Sequence, residues 1–167
     1  MYEYEVNLLF QSRQKKVTWD DLLKTPKDKI SIEHIFPQTP TDNWKDAFSD
    51  VIKDDYCYYS GSIGNLLLLS MSINSSLQND TFDEKKNPKI DDSGEKIRNG
   101  YSDGSHSEIE VSKYDDWKPA TIEERGIQLL TFMEKRWDIK FKDEQDKKSL
   151  LFLNTKDEAN VQQQESI

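Results

Sequence analysis

The sequence has a single cysteine and no long apolar run, and each shortage excludes a class of protein. One of its 167 residues is cysteine, so neither an internal disulfide nor a multi-cysteine zinc site can form. The longest leucine run covers residues 66–69, far short of the roughly 20 apolar residues of a membrane-spanning helix. The first residues lack the basic start and apolar stretch of a secretory signal. We therefore expect a soluble, cytoplasmic protein.

Basic residues are also in the minority. The chain carries 23 Lys and Arg against 32 Asp and Glu, which gives a net charge of −9. A protein that coats nucleic acid through phosphate contacts is normally basic. If this chain handles nucleic acid, it therefore does so through a local patch, a metal ion or another domain. Hydrophobic residues make up only 34% of the chain, which is enough for one domain with a modest core.

Two short apolar segments predict a pair of strands within an α+β, mainly helical domain. Residues 30–36 are rich in β-branched side chains and are stopped by Pro37, whereas residues 65–69 are apolar at every position after the asparagine. We expect an antiparallel pair, with a helix from about residue 72 packed against it. Further helices are predicted over residues 2–11, 43–52 and 119–137.

Polar composition indicates two flexible segments. Residues 83–107 are rich in Gly, Ser, Asp and Lys, which is typical of a long mobile loop. Residues 142–167 read as a polar, flexible C-terminal tail, so the domain is expected to span residues 1–141. The helical pattern starts abruptly after Met1, and we expect the chain to be a piece of a longer protein.

A small set of polar residues in the middle of the chain has the chemistry of a hydrolytic site. Glu33 and His34 adjoin on the first strand, Asn65 opens the second, and Asn74 follows in the helix. Imidazole accepts a proton near neutral pH, and carboxylate and amide oxygens suit a hard divalent cation. Phosphodiester hydrolysis needs both functions. Neighbouring strand residues point to opposite faces, so Glu33 and His34 can share a site only if the strand twists or ends there.

At the level of motifs, SIEHIFPQTP and GSIGNLLLLSMSINSSLQNDTF resemble the core of the HNH, or His-Me finger (ββα-metal), nucleases. More narrowly they resemble the C-terminal domain of GmrSD-type modification-dependent restriction enzymes. That family has an EHI-x-PQ segment, a GNL strand and then N-x-x-L-x-N-x-x-F-x-x-K. The resemblance covers about residues 2–140. It includes a closing helix matched by Trp117, Ile122, Arg125, Leu129 and Trp137.

The resemblance implies a role for each residue of the polar set. His34 would be the general base that activates water, and Asn65 would complete the catalytic pair by tying the loop backbone together. Glu33 and Asn74 would be the ligands of Mg²⁺ or Mn²⁺. Many HNH relatives have Asp and a final His at these two positions. Because both substitutes are oxygen donors, they favour Mg²⁺ or Mn²⁺ over zinc.

Two basic residues complete the implied site. Lys85 matches the family's basic position after the helix and would touch phosphate, although taken alone it reads as a solvated charge. Arg125 would make either a substrate contact or a surface ion pair. The second histidine, His106, lies in the Gly/Ser/Asp-rich segment without a partner pattern, so no catalytic role is expected for it.

The function implied is a metal-dependent endonuclease acting on DNA, as the cleavage module of a modification-dependent restriction or phage-defence system. Relatives carry an N-terminal, nucleotide-hydrolysing ParB-like domain, which would be the partner of this chain. The sequence has no GxxxxGK[ST] segment and therefore supplies no P-loop. Two alternatives stay open: a ββα nucleic-acid-binding or assembly module that has lost catalysis, and an RNA-directed nuclease. A disrupted motif would indicate the first, and the motif is intact.

Overall fold

Short helices and strands alternate along the residues that the computed structural model describes, which are 1–12, 18, 20 and 30–153. The strands are β1 (Ile30–His34), β2 (Leu66–Ser70), β3 (Lys89–Ile90) and β4 (Lys96–Arg98). The α-helices are α1 (Tyr2–Ser12), α2 (Tyr56–Gly61), α3 (Met71–Leu77), α4 (Phe82–Lys86), α5 (His106–Val111), α6 (Pro119–Trp137) and α7 (Glu144–Leu150). Single 3₁₀ turns cover Asp42–Trp44, Lys53–Asp55, Ile63–Asn65 and Tyr101–Asp103. The predicted α+β class is confirmed.

The predicted strand pair is present. β1 and β2 run antiparallel, with Ile30 opposite Ser70 and His34 opposite Leu66. α3 begins directly after β2, because the Ser70 hydroxyl accepts a hydrogen bond from Ile73 N and caps the helix. The chain thus forms a strand, strand and helix unit in which α3 packs against β1.

The longest of the described helices, α6, packs against the turn that precedes β2. It begins at the predicted Pro119 and buries Ile122, Leu129 and Leu130. The turn before β2 lies against it so closely that a Cβ on Gly64 would be 2.0 Å from the Ile122 carbonyl oxygen. A glycine is therefore required at position 64 by the approach of the two backbones.

The helix predicted over residues 43–52 is wrong. Only the 3₁₀ turn Asp42–Trp44 forms there, and Thr41 gives it no side-chain cap. Trp44 and Phe48 are buried as expected, but Phe48 stacks on Phe36 with ring centroids 3.8 Å apart, and Ile52 is 55% exposed. Aromatic packing against the residues after β1 therefore overrides the helical pattern.

The segment predicted as a mobile loop is ordered structure. A capping box between Thr81 and Glu84 starts α4, and β3 and β4 form a hairpin whose turn is closed by hydrogen bonds to Asp91. Arg98 on β4 is buried and donates to Ser76 O, Glu84 O and Asp80. Polar composition was misleading because these polar groups are used in internal hydrogen bonds.

The flexible tail is also wrong for the part that is described. Residues 144–150 form α7, and Leu151 and Leu153 join the core. Residues 154–167 lie outside the described part of the chain. Among the described helices, none combines the length and the apolar character that crossing a membrane requires.

Candidate active site

Glu33, His34 and Asn65 lie where β1 ends and β2 begins, whereas Asn74 contacts Ser31 and Ile32, nearer the start of β1. His34 is the last residue of β1 and pairs with Leu66. One residue further, the Ile35 amide donates to the Asn65 carbonyl oxygen at 3.1 Å. The strand therefore ends at the motif. A strand that ends or twists at this point is what would let the neighbours Glu33 and His34 act on the same substrate.

Asn65 holds the two backbone segments of the site together. The side chain is fully buried and uses both ends of its amide. Oδ1 accepts from Phe36 N at 2.8 Å and from Trp117 Nε1 at 2.9 Å, while Nδ2 donates to Phe36 O at 2.9 Å and to Ser60 O at 3.0 Å. A buried side chain cannot touch substrate, so this geometry gives Asn65 a positioning role and not a contact with the reacting atoms.

His34 carries the one reactive group of the set that is open to solvent. Its imidazole is half-buried and makes no hydrogen bond with the residues that the structure describes. Burial lowers the pKa of His34 from the usual 6.5, the Glu33 carboxylate opposes this shift, and the Lys85 ammonium adds to it. The lowered pKa favours the neutral imidazole, the state that can accept a proton.

Glu33 turns inward, as strand alternation requires for a neighbour of His34. Its side chain is buried, and Oε1 accepts from Lys85 Nζ at 2.7 Å and from Tyr101 OH at 2.9 Å. The other oxygen, Oε2, makes no hydrogen bond with the described residues. The structure thus fixes the carboxylate through one oxygen and leaves the second without a protein donor.

Asn74 lies on the same side of β1 as Glu33. Its Nδ2 donates to Ser31 Oγ at 2.8 Å and to Ile32 O at 3.0 Å. Ser31 precedes Glu33 by two residues and so shares its strand face. The two bonds hold the Asn74 amide by its nitrogen and leave Oδ1 available as an acceptor. The structure therefore places Asn74 against the strand face that carries Glu33, and the His34 imidazole lies on the opposite face.

Lys85 and Arg125 are not at the surface where substrate would bind. Both are fully buried. Lys85 Nζ donates to the carbonyl oxygens of His34 and Ile35 at 3.1 and 3.0 Å, besides Glu33. Arg125 Nη1 donates to the carbonyl oxygens of Gly64 and Leu66 at 2.6 and 2.9 Å.

The two cations therefore brace the backbone on either side of the site. Neither Lys85 nor Arg125 can contact a phosphate from its buried position, and within the described part of the chain Arg125 forms no surface ion pair. The physical reason is that carbonyl oxygens at the ends of a short strand pair need donors once they are buried. A basic side chain at these positions in the sequence gives the same pattern whether it is buried or exposed.

Tyr101 was missed by the sequence argument. It is fully buried and donates to Glu33, yet it lies in the segment whose composition indicated a loop. No spacing in the sequence links Tyr101 to Glu33, which is 68 residues away. Trp117, the indole donor to Asn65, did have a signal, because it belongs to the pattern of the closing helix.

The donor set fits a hard divalent cation better than a soft one. Among the described residues, no three His, Cys, Asp or Glu side chains are grouped closely enough to hold a metal ion. The atoms available as metal ligands are Glu33 Oε2 and Asn74 Oδ1. Both are oxygens that accept no hydrogen bond from the described residues. Mg²⁺ and Mn²⁺ accept one or two protein oxygens and complete their shell with water and substrate. These two side chains could therefore hold such an ion weakly.

The strand pair, the helix that follows it and the His and Asn residues that they carry define a small α+β domain of ββα type. The family described as GmrSD restriction endonucleases, C-terminal domain, matches residues 5–132, most of the chain. The chain belongs to this family, and membership implies a nuclease-type restriction module. No curated protein and no solved structure matches the chain in the two other comparisons.

Proposed function

We propose that this chain is an HNH-type, metal-dependent endonuclease domain that hydrolyses phosphodiester bonds of DNA, as the cleavage module of a modification-dependent restriction system. The observation that carries the proposal is the state of His34. Its imidazole is half-buried, is open to solvent and has no hydrogen-bond partner among the described residues, while the backbone around it is held from two sides; burial also lowers its pKa. An imidazole that reaches solvent from a held backbone, and whose neutral form is favoured, is what a general base requires.

In the proposed reaction, His34 takes a proton from a water molecule. The water oxygen forms a bond to phosphorus, and the bond to the 3′-oxygen of the leaving nucleotide breaks. The lowered pKa of His34 favours the neutral base at physiological pH, although it also weakens the base. Asn65 contributes by fixing Phe36, two residues after His34, and so limits the movement of the chain that carries the imidazole.

Glu33 and Asn74 would hold Mg²⁺ or Mn²⁺. When bound, the cation would offset negative charge on the phosphate and on the leaving oxygen. The chain's own contribution is orientation. Asn74 is tethered to β1 through its nitrogen, and Glu33 is held through one oxygen by Lys85 and Tyr101. Each side chain therefore keeps one oxygen free while its conformation is fixed.

DNA affinity is proposed to come largely from a partner, the ParB-like, nucleotide-hydrolysing N-terminal domain of this family or a separate subunit. The net charge of −9 opposes independent binding to a polyanion. The two basic side chains closest to the motif, Lys85 and Arg125, are buried, and their hydrogen bonds go to carbonyl oxygens and to Glu33. A cytoplasmic location follows from the proposed DNA substrate.

The proposal is tested by incubating the purified chain with supercoiled plasmid and, separately, with single-stranded RNA. Each polymer is treated in Mg²⁺, in Mn²⁺ and in excess chelator, with the His34→Ala protein in parallel. We expect the wild-type protein to nick the plasmid when metal is present, and the His34→Ala protein to leave it intact. Cleavage that survives the chelator would overturn the metal mechanism. Cleavage of RNA only would identify the RNA-directed alternative. Intact substrates throughout, at protein concentrations high enough to make up for the missing partner, would favour the binding or assembly module.

A further inference from the structure

A buried lysine ammonium lies directly behind the proposed catalytic residues. Lys85 Nζ is fully enclosed and donates to three oxygens: Glu33 Oε1 at 2.7 Å, Ile35 O at 3.0 Å and His34 O at 3.1 Å. An ammonium group has three protons, so its hydrogen-bonding capacity is fully used. All three acceptors belong to consecutive residues at the end of β1.

These three contacts fix the segment that carries the site. Hydrogen bonds from a charged donor are shorter and stronger than those between neutral groups. Two of the hydrogen bonds from Lys85 hold the carbonyl groups of His34 and Ile35, and the third holds the Glu33 carboxylate. Tyr101 donates to the same Glu33 oxygen, so Glu33 Oε2 is the oxygen left for a ligand. Lys85 therefore orients both the proposed base and a proposed metal ligand.

The same contacts have an electrostatic consequence. The positive charge of Lys85 balances the negative charge of Glu33 at a distance of 2.7 Å, in a part of the protein where water does not screen it. A divalent cation at the other carboxylate oxygen would be attracted by Glu33 and repelled by Lys85. The lysine thus improves the geometry of the site and weakens its affinity for the cation.

We propose that Lys85 is a positioning residue of the nuclease site, which holds Glu33 and the His34 backbone in the reactive arrangement and opposes cation binding. This inference rests on the proposed function. The inference predicts opposite effects on two quantities that usually change together, the affinity for the cation and the rate of cleavage. Loss of the ammonium is expected to tighten binding of the cation and, at the same time, to slow the reaction once the cation is bound.

The test compares Lys85→Met and Lys85→Gln with the wild-type protein, and it uses Lys86→Met as the matched control. Lys86 is the next residue of α4, and its ammonium donates to Tyr114 O, away from Glu33 and His34. Mn²⁺ affinity is measured by titration calorimetry without DNA, and single-turnover plasmid cleavage is measured at saturating Mn²⁺. Circular dichroism and thermal melting establish which proteins are folded.

We expect both Lys85 variants to bind Mn²⁺ about fivefold to tenfold more tightly than the wild type, because a nearby like charge has been removed. At saturating Mn²⁺, cleavage is expected to fall by about 10- to 100-fold, the usual cost of removing a residue that orients a ligand. Lys86→Met should match the wild type in both measurements. A purely structural role for Lys85 would instead lower affinity, rate and stability together.

Three results would overturn the inference. The first is a folded Lys85 variant with unchanged or weaker Mn²⁺ binding, and the second is an unchanged rate at saturating Mn²⁺. The third is failure of both Lys85 variants to fold while Lys86→Met folds, which would make Lys85 a structural residue only. If the wild-type protein neither binds Mn²⁺ nor cleaves, the proposed function fails. If it does both and only the Lys85 variants depart from expectation, the inference alone fails.

Discussion

Removing the Asn65 side chain should destabilise the protein more than almost any other single truncation. Asn65 is fully buried, and its amide serves Phe36 N, Phe36 O, Ser60 O and the Trp117 indole. Asn65→Ala leaves all four of these groups buried without a partner. These hydrogen bonds join the residues after β1, the turn before β2 and the segment that leads into α6.

The size of the effect follows from those four groups. A buried donor or acceptor that loses its partner costs about 1 to 3 kcal/mol, so the simple sum is about 4 to 12 kcal/mol. Relaxation of the chain and entry of water reduce that sum, and losses above about 5 kcal/mol are exceptional for a single mutation. We expect a loss of about 4 kcal/mol, a large part of the roughly 5 to 15 kcal/mol that stabilise a typical domain.

An isosteric change tests the same account more sharply. Asn65→Asp keeps the shape and the oxygen that accepts from Phe36 N, but it replaces the donor nitrogen with an oxygen that faces Phe36 O and Ser60 O. We expect it to be at least as destabilising as alanine at neutral pH, because carboxylate and carbonyl oxygens repel each other.

Both Asn65 variants are measured by urea unfolding, followed by tryptophan fluorescence and circular dichroism. Asn43→Ala, at an exposed asparagine, is the control and should change the free energy of unfolding by less than about 0.5 kcal/mol. A loss below about 1 kcal/mol in Asn65→Ala would refute the view that this side chain ties the site together.

Three further predictions concern neighbouring residues. Gly64→Ala should destabilise the fold by at least about 2 kcal/mol, because its Cβ would meet the Ile122 backbone at 2.0 Å. In the same urea unfolding assay, the control Gly61→Ala should be neutral, because its Cβ would meet nothing within 4 Å. Single-turnover cleavage should fall in acid with a midpoint below pH 6.5, because burial lowers the pKa of His34 and a bound cation would lower it further; a midpoint above pH 7 would contradict this. Asn74→Ala should reduce cleavage in Mg²⁺ and recover in part with excess Mn²⁺, because the proposed defect is in cation affinity; a loss that no Mn²⁺ concentration restores would show a different role.

The elements that were predicted correctly are those in which local pattern and tertiary packing agree. β1 and β2 are short, apolar and bounded by Pro37 and by glycines, and α6 combines an N-terminal proline with an apolar stripe. The strand, strand and helix order of the site follows from these signals alone. Asn65 could be singled out in advance because it directly precedes an apolar run, whereas Asn74 stands among serines and was marked by the motif that it shares with the family.

The rest could not be predicted because it depends on contacts between distant residues. Phe48 is drawn to Phe36 by ring stacking, which no pattern within residues 43–52 reveals. Lys85 and Arg98 give their segment a polar composition, yet both are buried because each meets oxygens from elements far away in sequence. A lysine that binds phosphate and a lysine that braces a strand look identical in a sequence.

The central claim, that His34 is the general base, is tested most directly by the His34→Ala protein. Its single-turnover cleavage of plasmid DNA is compared with that of the wild type at saturating Mn²⁺, after circular dichroism has shown that it is folded. The account predicts a rate lower by about 10²- to 10⁴-fold, because the reaction loses its proton acceptor, while Mn²⁺ affinity stays within a few-fold of the wild-type value. Undiminished cleavage by a folded His34→Ala protein would contradict the account.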